Sequence, residues 1–229
     1  MVIKILLSIL LFGVVIVVAS KLPQTTPPLQ TSQQYLPWQI EATPDDSIRV
    51  FGLTLDHTTL QQAEELLGTS ATISMFVAAT GEYRTEAFFD KVILGGFPAR
   101  LVTVLAVSQS QQAAMFKRGS RISNLGSGRK KVTLAADDHK AVYVTSISSI
   151  TYLTPTRLDA ELLRKRFGEP SQWHAETGTG ITHWMYPHWG LDIALAENGT
   201  AILQYVAPGR FAELTAGLRT EIAQEAPSR

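Results

Sequence analysis

Residues 154–206 read TPTRLDAELLRKRFGEPSQWHAETGTGITHWMYPHWGLDIALAENGTAILQYV, and the fold class follows from how this stretch is parsed. Thr154 is a candidate helix cap with Pro155 at the first helical position, where a missing N–H costs nothing. Leu158, Leu162, Leu163 and Phe167 then supply one apolar face, which stops at Gly168. The pattern beyond the glycine is that of strands. Trp184 and Tyr186, two residues apart, share one face of such a strand, and Asn198-Gly199 is the signature of a tight hairpin. An amphipathic helix must be covered by something, and the Trp184/Tyr186 face is the surface that receives it. Helix followed by antiparallel meander predicts an α+β protein.

Residues 54–107 follow the same order. Superposing Gly68 on Gly168 aligns Leu67 with Phe167, Ala63 with Leu163 and Thr54 with Thr154 without a gap through the helix. Leu60, Ala63, Leu66 and Leu67 form the apolar face of a helix over residues 59–67, with Thr58 and Gln61 as its capping box. Strands are expected at residues 73–78, 83–89, 91–94 and 101–107, separated by Thr80-Gly81 and Gly95-Gly96-Phe97-Pro98. Between the halves, residues 109–117 suit a short helix. A Gly/Ser/basic loop follows, then two strands, 132–135 and 141–147, around a turn at Asp137-Asp138-His139. The expected organisation is an apolar anchor at 1–21, a tether at 22–40, a first repeat at 41–108, and a basic loop and hairpin connector at 109–150. A second repeat at 151–207 and a C-terminal amphipathic helix and tail at 208–229 complete it. The two repeats are expected to form a curved sheet with helices packed on one side.

The run Leu153-Thr154-Pro155, a helix, Arg166-Phe167-Gly168-Glu169-Pro170, then Trp184-Met185-Tyr186, Gly190-Leu191-Asp192-Ile193 and Asn198-Gly199 resembles the repeat of the small outer-membrane lipoprotein and beta-lactamase-inhibitor-protein superfamily. That resemblance implies an extracytoplasmic protein with helices against a curved antiparallel sheet, acting by binding other proteins. It covers about 50 residues well and residues 53–107 faintly. The chain departs from the family in having no cysteine for lipid attachment, and its first half offers Tyr83-Arg84-Thr85 and Phe88-Phe89 in place of the Trp-x-Tyr pair.

The N-terminus supplies another means of attachment. Residues 5–19 are an almost unbroken apolar run after the single basic Lys4, interrupted by Ser8 and Gly13. With its flanks the run approaches the roughly 20 residues that span a hydrocarbon core as a helix. A cleaved signal peptide ending at Val17-Val18-Ala19 is the competing reading. The following segment, with Pro23, Pro27, Pro28 and a run of Gln and Thr, is a spacer. Together these predict a single-pass inner-membrane signal-anchor with its C-terminal domain in the periplasm or another extracytoplasmic space. The rest of the composition is neutral: Lys+Arg and Asp+Glu are both 20, so no global field favours nucleic acid.

Candidate functional residues fall into three groups. Trp173, His188 and Trp189, expected in turns at the rims of the second repeat, are the candidate protein-binding residues, since rigid aromatics dominate interfaces. Lys117, Arg118, Arg121, Arg129, Lys130 and Lys131 lie in a stretch with no acid between Asp90 and Asp137, a basic patch for solvent, anionic headgroups or an acidic partner. His174, His183 and His188 invite a metal or enzymatic reading, but a strand points His183 and His188 to opposite faces and Pro187 breaks the ladder between them. They are expected to be surface or half-buried histidines. No nucleophile elbow, phosphate loop or zinc helix is found, so no catalytic residue, cofactor, metal or small-molecule substrate is assigned. The expected role is a protein-binding module, an accessory or assembly subunit of an envelope or inner-membrane complex. The alternatives are a histidine-based envelope enzyme or metal binder, and a secreted inhibitor-like binder released by cleavage.

Overall fold

The computed structural model describes residues 35–154, 156–216 and 218, so the expected anchor and tether lie outside the described residues. No helix among the described residues is long and apolar enough to cross a membrane. The chain opens with a small sheet of β1 (Glu41–Ala42), β2 (Ile48–Val50) and β3 (Leu53–Thr54). The first half continues with α1 (Leu60–Leu67), β4 (Thr72–Val77), β5 (Tyr83–Leu94) and β6 (Phe97–Leu105). The middle supplies α2 (Gln109–Arg118), the hairpin β7 (Arg121–Gly126) and β8 (Arg129–Thr133), α3 (Ala136–Tyr143) and β9 (Ile147–Leu153). The second half is α4 (Ala160–Phe167), β10 (Gln172–Ala175), β11 (Ile181–Tyr186), β12 (Leu191–Ala196), β13 (Ala201–Val206) and a short helix, α5 (Phe211–Leu214).

Strands β4 to β13 form one antiparallel sheet in the order β10-β11-β12-β13-β9-β6-β5-β4-β8-β7. Cross-strand partners share a face, so the register sorts the side chains. The row Ala87, Thr103, Ile150, Tyr205, Leu191, Tyr186 crosses six strands and every member is fully buried. Onto this face pack Leu60 and Ala63 of α1, Met115 of α2, Val142 of α3, and Leu163 and Phe167 of α4. The next row, Phe88, Val102, Thr151, Gln204, Asp192, Met185, looks out on the opposite side. Here Met185 and Val206 meet Phe211, Leu214 and Leu218. Helices therefore sit on both sides of the sheet, the C-terminal one alone on the second, because the apolar stripe at 211–218 finds its complement there.

The Trp184/Tyr186 face does receive the helix of its half. Phe167 packs on Tyr186 at 6.1 Å between rings, the Tyr186 hydroxyl donates to the Gly168 carbonyl at 3.0 Å, and the Arg164 guanidinium lies 5.0 Å over Trp184. Other expectations are corrected. Thr59 with Gln62, one residue later than expected, makes the capping box of α1. Asp159, not Thr154, caps α4 by accepting from the Leu162 N–H. The two strands expected at 83–89 and 91–94 are one, β5, with an irregularity between Phe89 and Val92. Residues 109–150 hold the expected short helix, a β-hairpin of β7 and β8, and the start of β9, but the strand expected at 141–147 gives way to α3, which runs to Tyr143. Asp137, Asp138 and His139 sit in α3, where two acids in the first turn favour the helix N-terminus. Asp138 is held there by Arg118 of α2, at 2.6 and 3.1 Å.

Both α1 and α4 end at a glycine with positive φ, but Gly68 has ψ 24° and Gly168 ψ −171°, so the chain leaves the two helices differently. Three strands follow the first and four the second.

Candidate functional site

At the centre of the second sheet face is a groove of about 250 Å³. Its floor is built by alternation: Arg84 and Glu86 of β5, Val102 and Val104 of β6, Thr151 of β9 and Gln204 of β13 all point the same way. The end wall is the C-terminal segment, with Glu213 and Leu214 facing the groove. Arg210 fastens that wall. Its Nη2 donates to both carboxylate oxygens of Asp56 at 2.8 Å and to the Ser148 carbonyl at 2.5 Å, tying residues 154 positions apart.

Glu86 is the chemically unusual group on the floor. It stands between Ser74 of β4 and Val104 of β6, is only 5% exposed, and has no hydrogen-bond partner among the described residues. Burial pushes its carboxyl up to about 7, against the opposing pull of the Arg84 cation. A carboxyl so placed is a hydrogen-bond donor when protonated, and a buried anion in want of a cation when not. Either form can be satisfied by a group entering the groove.

A second polar cluster lies on the same sheet face, toward the β10 edge. His183 Nδ1 meets Asp192 Oδ2 at 2.7 Å and its Nε2 meets Glu176 Oε1 at 2.8 Å, with His183 and Asp192 buried and Glu176 half-buried. Burial disfavours the charged ring, but the hydrogen bonds and negative charges of Asp192 and Glu176 outweigh it, and the pKa of His183 is raised. Where surface or half-buried histidines were expected, His183 and His174, paired across β10 and β11, are buried. His188 is exposed, on the turn Pro187–Trp189. Both nitrogens of His183 are engaged, and no group of three or more ligating side chains among the described residues could hold a metal ion.

The aromatic candidates are placed unequally. Trp173 is 71% exposed, but on the edge strand β10 rather than in a turn. Trp189 is half-buried, stacked on Tyr186 at 5.8 Å, with His188 against it at 4.5 Å. The basic residues are shared between α2 and the β7–β8 hairpin. Arg118 pairs with Asp138, Lys130 reaches over Phe116 and Lys131 over Phe76 on opposite sides of β8, and Lys117 and Arg121 are exposed. Arg129 is half-exposed at the hairpin turn. Glu86 and the Glu176–His183–Asp192 cluster escape sequence reasoning because each depends on register between strands. The one legible signal was the alternation Tyr83, Thr85, Ala87, Phe89 against Arg84, Glu86, Phe88, which marks a second, wetter face. No family model, no curated protein and no solved structure matches the chain.

Proposed function

We propose that this chain is a membrane-tethered, extracytoplasmic protein-binding module, an accessory or assembly subunit of an envelope complex, and that the groove over Glu86 is its docking site. The observation that carries the reading is a buried carboxyl, Glu86, without a hydrogen-bond partner among the described residues, at the bottom of an accessible groove. At about 250 Å³ the groove falls just below the roughly 300–1,000 Å³ usual for small-molecule pockets, so it suits a few side chains projecting from a partner's surface. Mixed walls of Val102, Val104 and Leu214 with Thr151 and Gln204 give such a segment apolar contact and hydrogen bonds. A lysine or arginine reaching Glu86 gives it a charge-assisted one. The apolar run at residues 5–19 and the family resemblance of residues 153–206 support the location.

Affinity capture of the full-length chain from detergent-solubilised membranes tests this. A stoichiometric partner is expected, recovered at least tenfold less with Thr151→Trp, which fills the groove, reduced with Glu86→Gln, and unchanged with Trp173→Ala at the sheet edge. A clean monomer would refute the module. Recovery that survives Thr151→Trp but fails with Trp173→Ala would move the interface to the aromatic edge. Intact mass of the mature protein separates the retained anchor from the secreted form.

A further inference from the structure

We infer that the β5–β6 hairpin tip is a second, independent contact surface, and that its partner is the bilayer itself. Leu94 pairs with Phe97, so the turn is the two-residue Gly95-Gly96, with φ +57° and +84°, as a type I′ hairpin requires. Around this rigid turn the chain exposes two large apolar side chains, Ile93 at 56% and Phe97 at 61%. They lie on opposite faces of the ribbon: Phe97 is opposite buried Leu94, and Ile93 is opposite exposed Pro98. A tip apolar on both faces suits edgewise insertion among lipid headgroups, whereas docking onto a protein surface needs one apolar face. Exposed Lys91 and Arg100 behind the tip outnumber the one neighbouring acid, Asp90, as an anionic headgroup layer would favour.

The path of residues 35–38, so near the apolar run in sequence, selects the bilayer as occupant. Residues 35–38 pass directly beside this turn: Leu36 lies against Gly95 so closely that a Cβ there would strike it, and the Pro37 carbonyl accepts from the Tyr205 hydroxyl at 2.8 Å. Upstream there are only 15 residues, 20–34, between this point and the apolar run. At about 3.3–3.6 Å per residue, 15 residues can span at most roughly 50 Å however they are arranged. The tip is thereby held at high effective concentration over the membrane, and even weak apolar contact is populated. This inference rests on the tethered reading above.

The cysteine-free chain makes the test direct. Full-length Phe97→Cys, and as a control Thr80→Cys at the far end of β5 (about 40 Å away along twelve residues), are labelled with an environment-sensitive fluorophore. Each is placed one copy per nanodisc, with anionic lipid and doxyl-quencher lipid. The label at 97 is expected to be blue-shifted and quenched at least twofold more than the label at 80. Equal quenching at the two sites would overturn the inference. So would a label at 97 that is shielded but unquenched, which would mean a protein surface covers the tip. If the full chain instead fails to float with vesicles after alkaline extraction, it is the membrane attachment that fails.

Discussion

A carboxyl that is protonated in the folded protein and ionised in the unfolded one leaves a thermodynamic trace. Below the ordinary value of 4.5 for Glu86 both states hold the proton, and between 4.5 and about 7 only the folded state does. Stability therefore falls as pH rises through that window and levels off above it, by up to about 3 kcal/mol in all. Glu86→Gln removes this part of the slope: urea unfolding at pH 8 should find the variant more stable than the parent, and at pH 4 equal to it. A parent whose stability is unaffected by the substitution at pH 8 would show that the carboxyl is not buried as described. His183 adds a trend of the same sign. Its raised pKa means a contribution fully present below the ordinary 6.5 and lost as pH rises through the folded value. A stabilising replacement available at the bottom of a groove, and not used by the protein, is what a binding group looks like in stability terms.

Among the elements, the helices were legible where an apolar face coincides with a cap, as at Leu60 to Leu67, and at 109–117, where the structure adds a capping box, Ser108 with Gln111, to the expected short helix. Residues 136–143 were not, since Asp-Asp-His also suits a turn; the deciding contact, Arg118 to Asp138, is made only after α2 and α3 meet. The fastening of α2 was equally hidden. Gln112, 2% exposed, accepts from the Thr85 hydroxyl at 2.9 Å and donates to the Val107 carbonyl at 2.8 Å. Gln112→Leu strands both groups and should cost about 2 kcal/mol. Adding Thr85→Val removes one of the stranded groups and should recover about half the loss, a coupling that a double-mutant cycle measures. Additive single effects would contradict the latch.

For the whole molecule, the helix-and-meander grammar of the two halves was readable, but not how they join. The join is β9, which pairs with β6 on one side and β13 on the other. One apolar cluster runs from Leu60 through Ile150 to Trp184 across that seam. The halves should therefore melt together: calorimetry of the full chain is expected to give one transition with matching calorimetric and van't Hoff enthalpies, and two resolved transitions would show separate domains. The same strand order leaves the ten-stranded sheet open at two edges, β10 and β7. The first edge is only four residues long. The second, β7, carries Arg121, and its inner neighbour β8 carries Arg129, Lys130 and Lys131, cations well placed for another purpose. Like charges on and just behind an open edge repel a second molecule's edge, so this hairpin's basic residues guard the protein against edge-to-edge aggregation when many copies crowd together.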